Sequence, residues 1–318
     1  MLVPKLIFQK VEPIHDVYGG IFPIVPTPFN GDGSLDLDGQ RRVIDCMIDQ
    51  GIDGLCILAN YSEQFLLSDS EREILQTVCL EHTNGRTPVI ATCSHFSTKI
   101  AVERCQNAEK QGASMVMMMA PYHGALLKAS EEGVYQHFEA LANAIDIPIM
   151  IQDAPLSGVT LPVSLLARIA KDFTNVSYFK IETPGTAEKL KALLEAAKDY
   201  IDGPFDGEEG ITLLADLEAG ATGTMTSALA CEQIRPIVFD YLNGYRDKAE
   251  DQYQRLLPLI NLENRQCGLR ACKVIMKQGG VIKSDAVRHP LEPLPELARK
   301  KLLKLSKDLD LIALRWGK

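Results

Sequence analysis

The sequence has no long apolar run, and its basic residues cluster in only one stretch. Its 318 residues are 46% hydrophobic and 24% charged, with a net charge of −9 at pH 7. Nucleic acids and anionic membranes bind clustered Lys and Arg, so neither is an expected partner. The basic stretch ARKKLLKLSK at 298–307 is interleaved with leucines and predicts the solvent-facing side of an amphipathic helix. No run reaches the ~18 apolar residues that a membrane helix needs.

Cysteine spacings typical of metal or redox sites are also absent. The chain has eight cysteines, but no two have Cys-x-x-Cys spacing and most lie in apolar runs. This pattern predicts buried free thiols and neither disulfides nor a metal site. The opening stretch MLVPKLIFQKVEPIHD is interrupted by Pro4, Lys5 and Lys10, which is not typical of a cleavable signal. We therefore expect a cytoplasmic protein.

What is present is a repeating pattern of short apolar and longer amphipathic segments, from about residue 20 to 245. The apolar segments include GLCILAN at 54–60, PVIATCS at 88–94 and PIMIQDA at 148–154. Eight such units predict a closed (β/α)8 TIM barrel, a parallel sheet covered by helices. An open doubly wound sheet is the alternative, but no Gly-rich dinucleotide motif follows the first strand. Helices are predicted over 68–83, 97–111, 131–144, 162–172 and 186–198.

The pattern divides the chain into three regions. Residues 1–18 are predicted to be a short N-terminal extension, and residues 19–245 the catalytic barrel. Residues 246–318 are predicted to be a helical region packed on the barrel. Its three expected helices are QYQRLLPLINLE, GLRACKVIMKQGG and LPELARKKLLKLSKDLDLIALRW.

The segment YFKIETPG at 178–185 places a lysine within a predicted buried strand. Alternation puts Lys180 and Glu182 on one face, ~6.5–7 Å apart along the strand at ~3.3 Å per residue. Burying an ammonium is costly. One interpretation is a structural ion pair. The other is a desolvated amine with a lowered pKa, which forms a Schiff base with a ketone.

In a (β/α)8 barrel the active site lies at the carboxyl ends of the strands. The predicted strand ends form a polar ring with one lysine. A magnesium site in this ring is the weaker interpretation, because an imine already polarises a ketone. Besides Lys180 and Glu182, the ring contains Thr27, Asn60, Tyr61, Ser62, Glu63, Ser94, His95, Tyr122, His123, Gln152, Asp153, Asp206, Glu208, Glu209, Thr226 and Ser227.

Several motifs occur in an order that resembles the dihydrodipicolinate synthase / N-acetylneuraminate lyase family of Schiff-base barrels, over about residues 19–316. The resemblance implies an imine on Lys180, no external cofactor and a small 2-keto acid substrate. It also implies a homo-oligomer, either a dimer or a tetramer. The motifs are TPF, SEQFLLSDSER, PYH, DAPLSG, FKIETPG, GATGTMTS and RHPLEPL.

Departures from the family pattern are informative. The usual Gly-Thr-Thr-Gly-Glu after the second strand is Ala-Asn-Tyr-Ser-Glu at 59–63. The family's proton-shuttling tyrosine after strand five is Gln152 here, and a second tyrosine is His123. Loss of that shuttle disfavours aldol cleavage or condensation. The strings GLCILANYSEQF, APYHG, IQDAP, YFKIETPG, DGEE and LINLENRQ resemble a subgroup that dehydrates L-2-keto-3-deoxyarabonate.

The subgroup resemblance implies a hydro-lyase that makes 2-oxoglutarate semialdehyde (2,5-dioxopentanoate) in L-arabinose breakdown. Lys180 would form the imine at C2. Glu182 would remove a C3 proton and then protonate the C4 hydroxyl, and Tyr122 would orient or protonate that hydroxyl. The candidates for holding the substrate are Asn60, Tyr61, Ser62, His95, His123, Gln152 and Thr226.

Two other functions stay open at this point. One is an aldolase or lyase of the same family that releases or uses pyruvate. The other is a barrel without catalysis that senses a sugar acid. Lys180 argues against the sensor, and Gln152 argues against the aldolase.

Overall fold

The structure, a computed structural model, describes residues 17–121, 129–159 and 161–318. The predicted N-terminal extension therefore lies almost wholly outside the described residues. Within these ranges the core is a sheet of eight parallel strands. The strands are β1 (Gly20–Ile21), β2 (Leu55–Ile57), β3 (Val89–Thr92), β4 (Met115–Met119), β5 (Ile149–Asp153), β6 (Tyr178–Ile181), β7 (Gly203–Asp206) and β8 (Gly223–Thr224).

The sheet closes on itself. Its strands are ordered β1-β8-β7-β6-β5-β4-β3-β2, so β1 and β2 form the two ends. The residues just after β1 join these ends, because the backbone N–H of Val25 donates to the Cys56 carbonyl at 2.8 Å. The Cys56 N–H donates in turn to the Pro23 carbonyl at 3.0 Å. Closure and the parallel order confirm the predicted (β/α)8 barrel and exclude the open sheet.

A helix follows each strand, and the predicted helices are confirmed within two residues at either end. The helix α2 begins after a capping box, in which Ser68 and Glu71 satisfy each other's backbone N–H groups. The helices of the barrel are α1 (Leu37–Asp49), α2 (Asp69–Thr83), α3 (Thr98–Lys110), α4 (Glu131–Ala142), α5 (Val163–Asp172), α6 (Thr186–Ala197), α7 (Leu213–Glu218) and α8 (Cys231–Leu242).

Side chains alternate between the barrel interior and the helix layer, as the period of a strand requires. On β4, Met115 and Met117 belong to the inner cluster, whereas Met118 packs in the outer one. On β6, Tyr178 is an inner residue and Phe179 an outer one. Lys180 has the parity of Tyr178. The fold therefore directs the lysine into the barrel.

Residues 246–318 contain three further helices, and the first of them packs against α8 of the barrel. The helices are α9 (Arg246–Leu262), α10 (Arg270–Gln278) and α11 (Glu296–Asp308), with a π-helical turn at Glu263–Cys267. The prediction of one helix extending to residue 316 was wrong. The helix α11 ends because Asp310 adopts a left-handed conformation, with φ 51°, and a separate 3-10 turn follows at Ile312–Leu314.

A buried ion pair ties this helical region to the loop after β2, residues 58–68, which we call the β2 loop. Lys273 of α10 is fully buried, and its ammonium contacts the Glu63 carboxylate. The ammonium also donates to the Ala286 carbonyl at 2.7 Å. The second oxygen of Glu63 accepts from the backbone N–H of Arg288 at 3.0 Å. The C-terminal part of the chain therefore holds the β2 loop in place.

The cysteines lie in the core of the protein. The eight cysteines, all within the described ranges, are free and buried, which confirms the predicted thiols. Among the described residues, no helix combines the length and apolar character required to cross a bilayer.

Candidate active site

A cavity of about 150 Å³ opens at the carboxyl ends of the strands. It lies where β2, β6 and β7 end, which is the catalytic face of (β/α)8 barrels. The sequence predicted four of its lining residues as catalytic or binding residues, and it placed two more, Glu208 and Glu209, in the polar ring. The cavity is lined by Ile24, Ala59, Asn60, Tyr61, Pro155, Lys180, Glu182, Gly207, Glu208 and Glu209.

Lys180 and Glu182 are in direct contact. Lys180 lies on β6, is 3% exposed, and forms an ion pair with Oε1 of Glu182. The neighbouring strand places Gln152 directly opposite Lys180. The side-chain amide of Gln152 donates to the same Glu182 oxygen at 3.0 Å. The strand spacing predicted from the sequence therefore brings an amine and a carboxylate together on the cavity wall, with an amide beside them.

The predicted lowering of the Lys180 pKa was wrong. Burial does act to lower this pKa, but the negative charges of Glu182 and Glu209 outweigh it, and the pKa is raised. The free site therefore holds an ammonium paired with a carboxylate. A nucleophilic amine is obtained only when the ammonium passes its proton on, and the contacting Glu182 is placed to receive it. Sequence reasoning missed this balance because it weighed the desolvation of the lysine more heavily than the charges around it.

Gly207 makes this close arrangement possible. It directly follows β7, and a Cβ atom there would lie 2.4 Å from Cγ of Glu182 and 3.0 Å from Cγ of Lys180. Real Cβ contacts are not this short, so any larger residue must displace the pair. A glycine is required here by the packing of the site itself.

We expect Gly207→Ala to reduce turnover by about 100-fold, because a displacement on the order of 1 Å at a reacting group has effects of that size. Steady-state kinetics, with circular dichroism to verify folding, would measure the loss. Gly31→Ala is the matched control, since a Cβ at Gly31 meets no described atom within 4 Å. Equal activity of the two variants would contradict the tight packing inferred at Gly207.

The β2 loop brings neutral hydrogen-bonding groups to the cavity. Asn60 and Tyr61 line it from a 3-10 turn at Asn60–Ser62. The hydroxyl of Ser62 is buried, donates to the Val25 carbonyl at 2.6 Å and accepts from the Ala59 N–H at 3.1 Å. In the free structure this hydroxyl shapes the turn and does not line the cavity. That the turn binds substrate stays a prediction.

Two further carboxyl groups, Glu208 and Glu209, line the cavity from the loop after β7. Burial raises the pKa of both. Oε2 of Glu209 accepts a hydrogen bond from Nδ2 of Asn264 at 3.3 Å. Asn264 lies in the π-helical turn, so the C-terminal region also contributes to the site. Sequence reasoning placed Glu209 in the polar ring without a catalytic role, and it did not select Asn264, although the string LINLENRQ contains it.

The other predicted site residues lie outside the cavity lining or outside the described residues. His95 is half-buried, and its Nδ1 accepts from the backbone N–H of Ser97 at 2.9 Å. Thr226 is buried, and its hydroxyl donates to the Ser227 carbonyl at 3.1 Å. Tyr122 and His123 lie in the undescribed stretch 122–128. The roles assigned to all of these residues stay predictions.

Asp206 is separate from the cavity, although it belongs to the same strand end. Its carboxyl group is fully buried, accepts from the Thr224 hydroxyl and faces Asp216 of α7. Burial and the nearby Asp216 raise the pKa of Asp206 to about 8. The described ranges contain no group of three or more His, Cys, Asp or Glu side chains arranged to hold a metal ion.

A buried lysine on β6 at the mouth of a closed barrel is the arrangement that the motif resemblance predicts. Comparison with protein families shows the same: the chain belongs to the dihydrodipicolinate synthetase family, whose sequence profile matches residues 17–309. One relationship within the family is more specific. The chain is 51% identical to L-2-keto-3-deoxyarabonate dehydratase of Azospirillum brasilense over 298 residues, 94% of this chain and 96% of that protein.

More distant members of the family share the whole architecture. The 4-hydroxy-tetrahydrodipicolinate synthase of Bacillus subtilis strain 168 is 30% identical over 289 residues, 90% of this chain and 97% of that protein. The crystal structure of dihydrodipicolinate synthase from Thermotoga maritima superposes with a TM-score of 0.84 at 26% identity. That match covers 92% of this chain and 98% of the other. The family predicted from the motifs is confirmed.

Proposed function

We propose that this protein is a hydro-lyase that dehydrates L-2-keto-3-deoxyarabonate to 2-oxoglutarate semialdehyde through an imine on Lys180. The observation that carries the proposal is the contact of Lys180 with Glu182, supported by Gln152 at the end of β5. The 51% identity to a dehydratase named for this substrate supports the same conclusion. The enzyme needs no metal and no external cofactor, because the imine itself withdraws electrons. It is a cytoplasmic homo-oligomer.

The first half of the reaction needs only Lys180 and Glu182. The ammonium passes its proton to Glu182, and the neutral amine attacks the C2 ketone. Ammonium and ketone together give iminium and water, so the proton leaves in the water and Glu182 is again a carboxylate. The iminium acidifies C3, and Glu182 then removes one C3 proton to give an enamine. The alternation of one strand thus places the nucleophile and the base at adjacent carbons of the substrate.

Aldol cleavage requires a different base. Breaking the C3–C4 bond requires removal of the proton on the C4 hydroxyl. An amide such as Gln152 cannot act as that base. Gln152 uses its NH₂ group on Glu182, and its Oε1 is buried without a partner among the described residues. This oxygen is free to accept a hydrogen bond from a substrate hydroxyl, which makes Gln152 a binding group and not a proton carrier.

Among the described residues that line the cavity, Lys180 is the one cation, so these residues hold the substrate carboxylate without a second one. Lys180 is committed to the imine, and the cavity wall is otherwise acidic at Glu182, Glu208 and Glu209. Asn60 and Tyr61 supply neutral donors. Burial, with Glu209 as the next cause, raises the pKa of the Tyr61 hydroxyl above its ordinary value, so it stays a protonated donor. Hydrogen bonds from neutral donors to a carboxylate are stronger than those between two neutral groups.

Product analysis tests the function directly. The purified protein is incubated with L-2-keto-3-deoxyarabonate, and the products are followed by NMR. Semialdehyde without pyruvate is the expected result. Equal amounts of pyruvate and glycolaldehyde would make the protein an aldolase instead. Saturable binding with no product, and no borohydride-trapped adduct, would point to the sensor.

A further inference from the structure

Elimination of water requires an acid near C4 of the substrate, and Glu182 is poorly placed to act as that acid. Lys180 and Gln152 both contact Oε1 of Glu182, which holds this carboxylate at the C2–C3 end of the substrate. After the imine forms, Glu182 acts as the base at C3. A hydroxide ion is a poor leaving group, so a second group has to protonate the C4 oxygen as the bond breaks.

Glu209 is the carboxyl group positioned for that task. It lines the same cavity as Lys180 and Glu182, and it lies two residues beyond Gly207, which packs on Glu182. Its backbone is left-handed, with φ 53°, an uncommon conformation for a residue with a side chain. Strained residues of this kind cluster at functional sites.

The surroundings of Glu209 hold the carboxyl group without neutralising it. Among the described residues, Glu209 forms no ion pair with any Lys or Arg, and its side-chain hydrogen bond is to the neutral amide of Asn264. That amide engages Oε2 at 3.3 Å and leaves Oε1 for the substrate. Asn264 is presented by a π-helical turn, a rare element that is frequent at functional sites.

We infer that Glu209 is the catalytic acid that protonates the departing C4 hydroxyl, and that Asn264 is its positioning residue. The inference rests on the proposed dehydratase function. The enamine electrons form the C3–C4 double bond, and the C4–O bonding pair leaves on oxygen. Glu209 supplies the proton that makes this oxygen a water molecule.

The steps at C5 and C3 return Glu209 and Glu182 to their starting protonation states. Loss of water leaves a conjugated iminium and a carboxylate at Glu209. Formation of the terminal aldehyde requires removal of one C5 proton, which the Glu209 carboxylate takes up, so that the acid is regenerated. Glu182 returns its proton to C3, the enol at C5 tautomerises to the aldehyde, and hydrolysis frees Lys180.

The electrostatics of the cavity agree with this role. Burial raises the pKa of Glu209 well above its usual range, Lys180 opposes the rise, and Glu182, Glu263 and Asp206 add to it. A group that must donate a proton at neutral pH has to hold one beforehand. Burial favours the protonated form of Glu209, as apolar or acidic surroundings do for other catalytic carboxyls.

A fluorinated substrate separates proton donation from every other role. In 2-keto-3,4-dideoxy-4-fluoropentonate the C4 hydroxyl is replaced by fluorine, which departs as fluoride without needing a proton. With Glu209→Gln, water loss from the natural substrate should fall by ~10²–10⁴. Fluoride release from the analogue and exchange of C3 protons with deuterated water should both stay near the unmodified rates. Glu218→Gln, at an exposed position on α7, is the control and should change neither reaction.

Two results would overturn the inference. If Glu209→Gln slows water loss and fluoride release equally, Glu209 only shapes the site. If it slows neither, Glu182 or Tyr122 is the acid. Should Glu209→Gln fail to fold, Asn264→Ala makes the same test, and a selective loss of water elimination is again expected. The proposed function itself is judged separately, by the products of the unmodified enzyme and by borohydride trapping of Lys180.

Discussion

Lys180→Ala is expected to abolish covalent trapping and to slow dehydration by roughly 10⁴- to 10⁶-fold, the scale on which loss of a covalent nucleophile acts. The reason is geometric. Lys180 is the amine that lines the cavity among the described residues, and strand β6 fixes it beside its proton acceptor. Borohydride added with substrate or pyruvate should add mass to Lys180 in the unmodified enzyme, and peptide mass spectrometry would locate the label.

The control is a lysine of ordinary exposure. Lys171, exposed on α5, should be replaceable by Ala with no effect on trapping or turnover. Lys180→Met, which keeps most of the side-chain volume, distinguishes loss of the amine from loss of packing and should be as inactive as Lys180→Ala. Trapping that persists in either Lys180 variant, at another residue, would place the imine elsewhere and end the mechanism proposed above.

Glu182→Gln should lower turnover by ~10²–10⁴, the usual cost of removing a positioned acid–base group. The glutamine keeps the size and hydrogen-bonding capacity of the side chain but cannot carry a proton. Imine formation should survive because Lys180 remains, so borohydride should still label the variant. Exchange of the C3 protons with deuterated solvent, followed by NMR, should slow together with dehydration.

The same variant has a pH signature. The negative charge of Glu182 helps to raise the pKa of Lys180. Removing that charge must lower this pKa, which increases the fraction of neutral amine at any given pH below it. The pH at which trapping becomes half-maximal should therefore shift downward in Glu182→Gln. A variant that exchanges C3 protons and dehydrates at the normal rate would show that Glu182 is only a counter-ion, and the base would then be sought at Tyr122 or His123.

The barrel and its central pair were predictable because their causes are local. Apolar runs bounded by polar turns specify buried parallel strands, and the two-residue spacing of Lys180 and Glu182 specifies a shared face. Gln152 was predictable as a member of the site because it lies at the end of β5, the strand next to β6. Each of these inferences depends on a few consecutive residues, and the structure has them as predicted.

The features that the sequence did not reveal depend mainly on interactions between residues that lie far apart in the chain. The pKa of Lys180 depends on its desolvation and on nearby negative charges, including that of Glu209 in the loop after β7. The sequence of strand β6 indicates the desolvation but not the charge from that loop. The Asn264–Glu209 hydrogen bond joins a π-helical turn to a barrel loop, and no periodicity in the sequence predicts such a contact. The early end of α11 depends on a left-handed Asp310, a conformation that its sequence neighbours do not demand.

The ion pair between Lys273 and Glu63 has a consequence for how the enzyme is made. Its partners are 210 positions apart, and the ribosome releases the barrel strands long before α10. A nascent chain stopped before Lys273 would contain every strand and Lys180, yet Glu63 would lack the cation that compensates its burial within the β2 loop. An unpaired buried charge costs several kcal/mol, so that loop cannot settle early. The β2 loop, which we propose to hold the substrate carboxylate, is therefore expected to become ordered only after α10 has been synthesised.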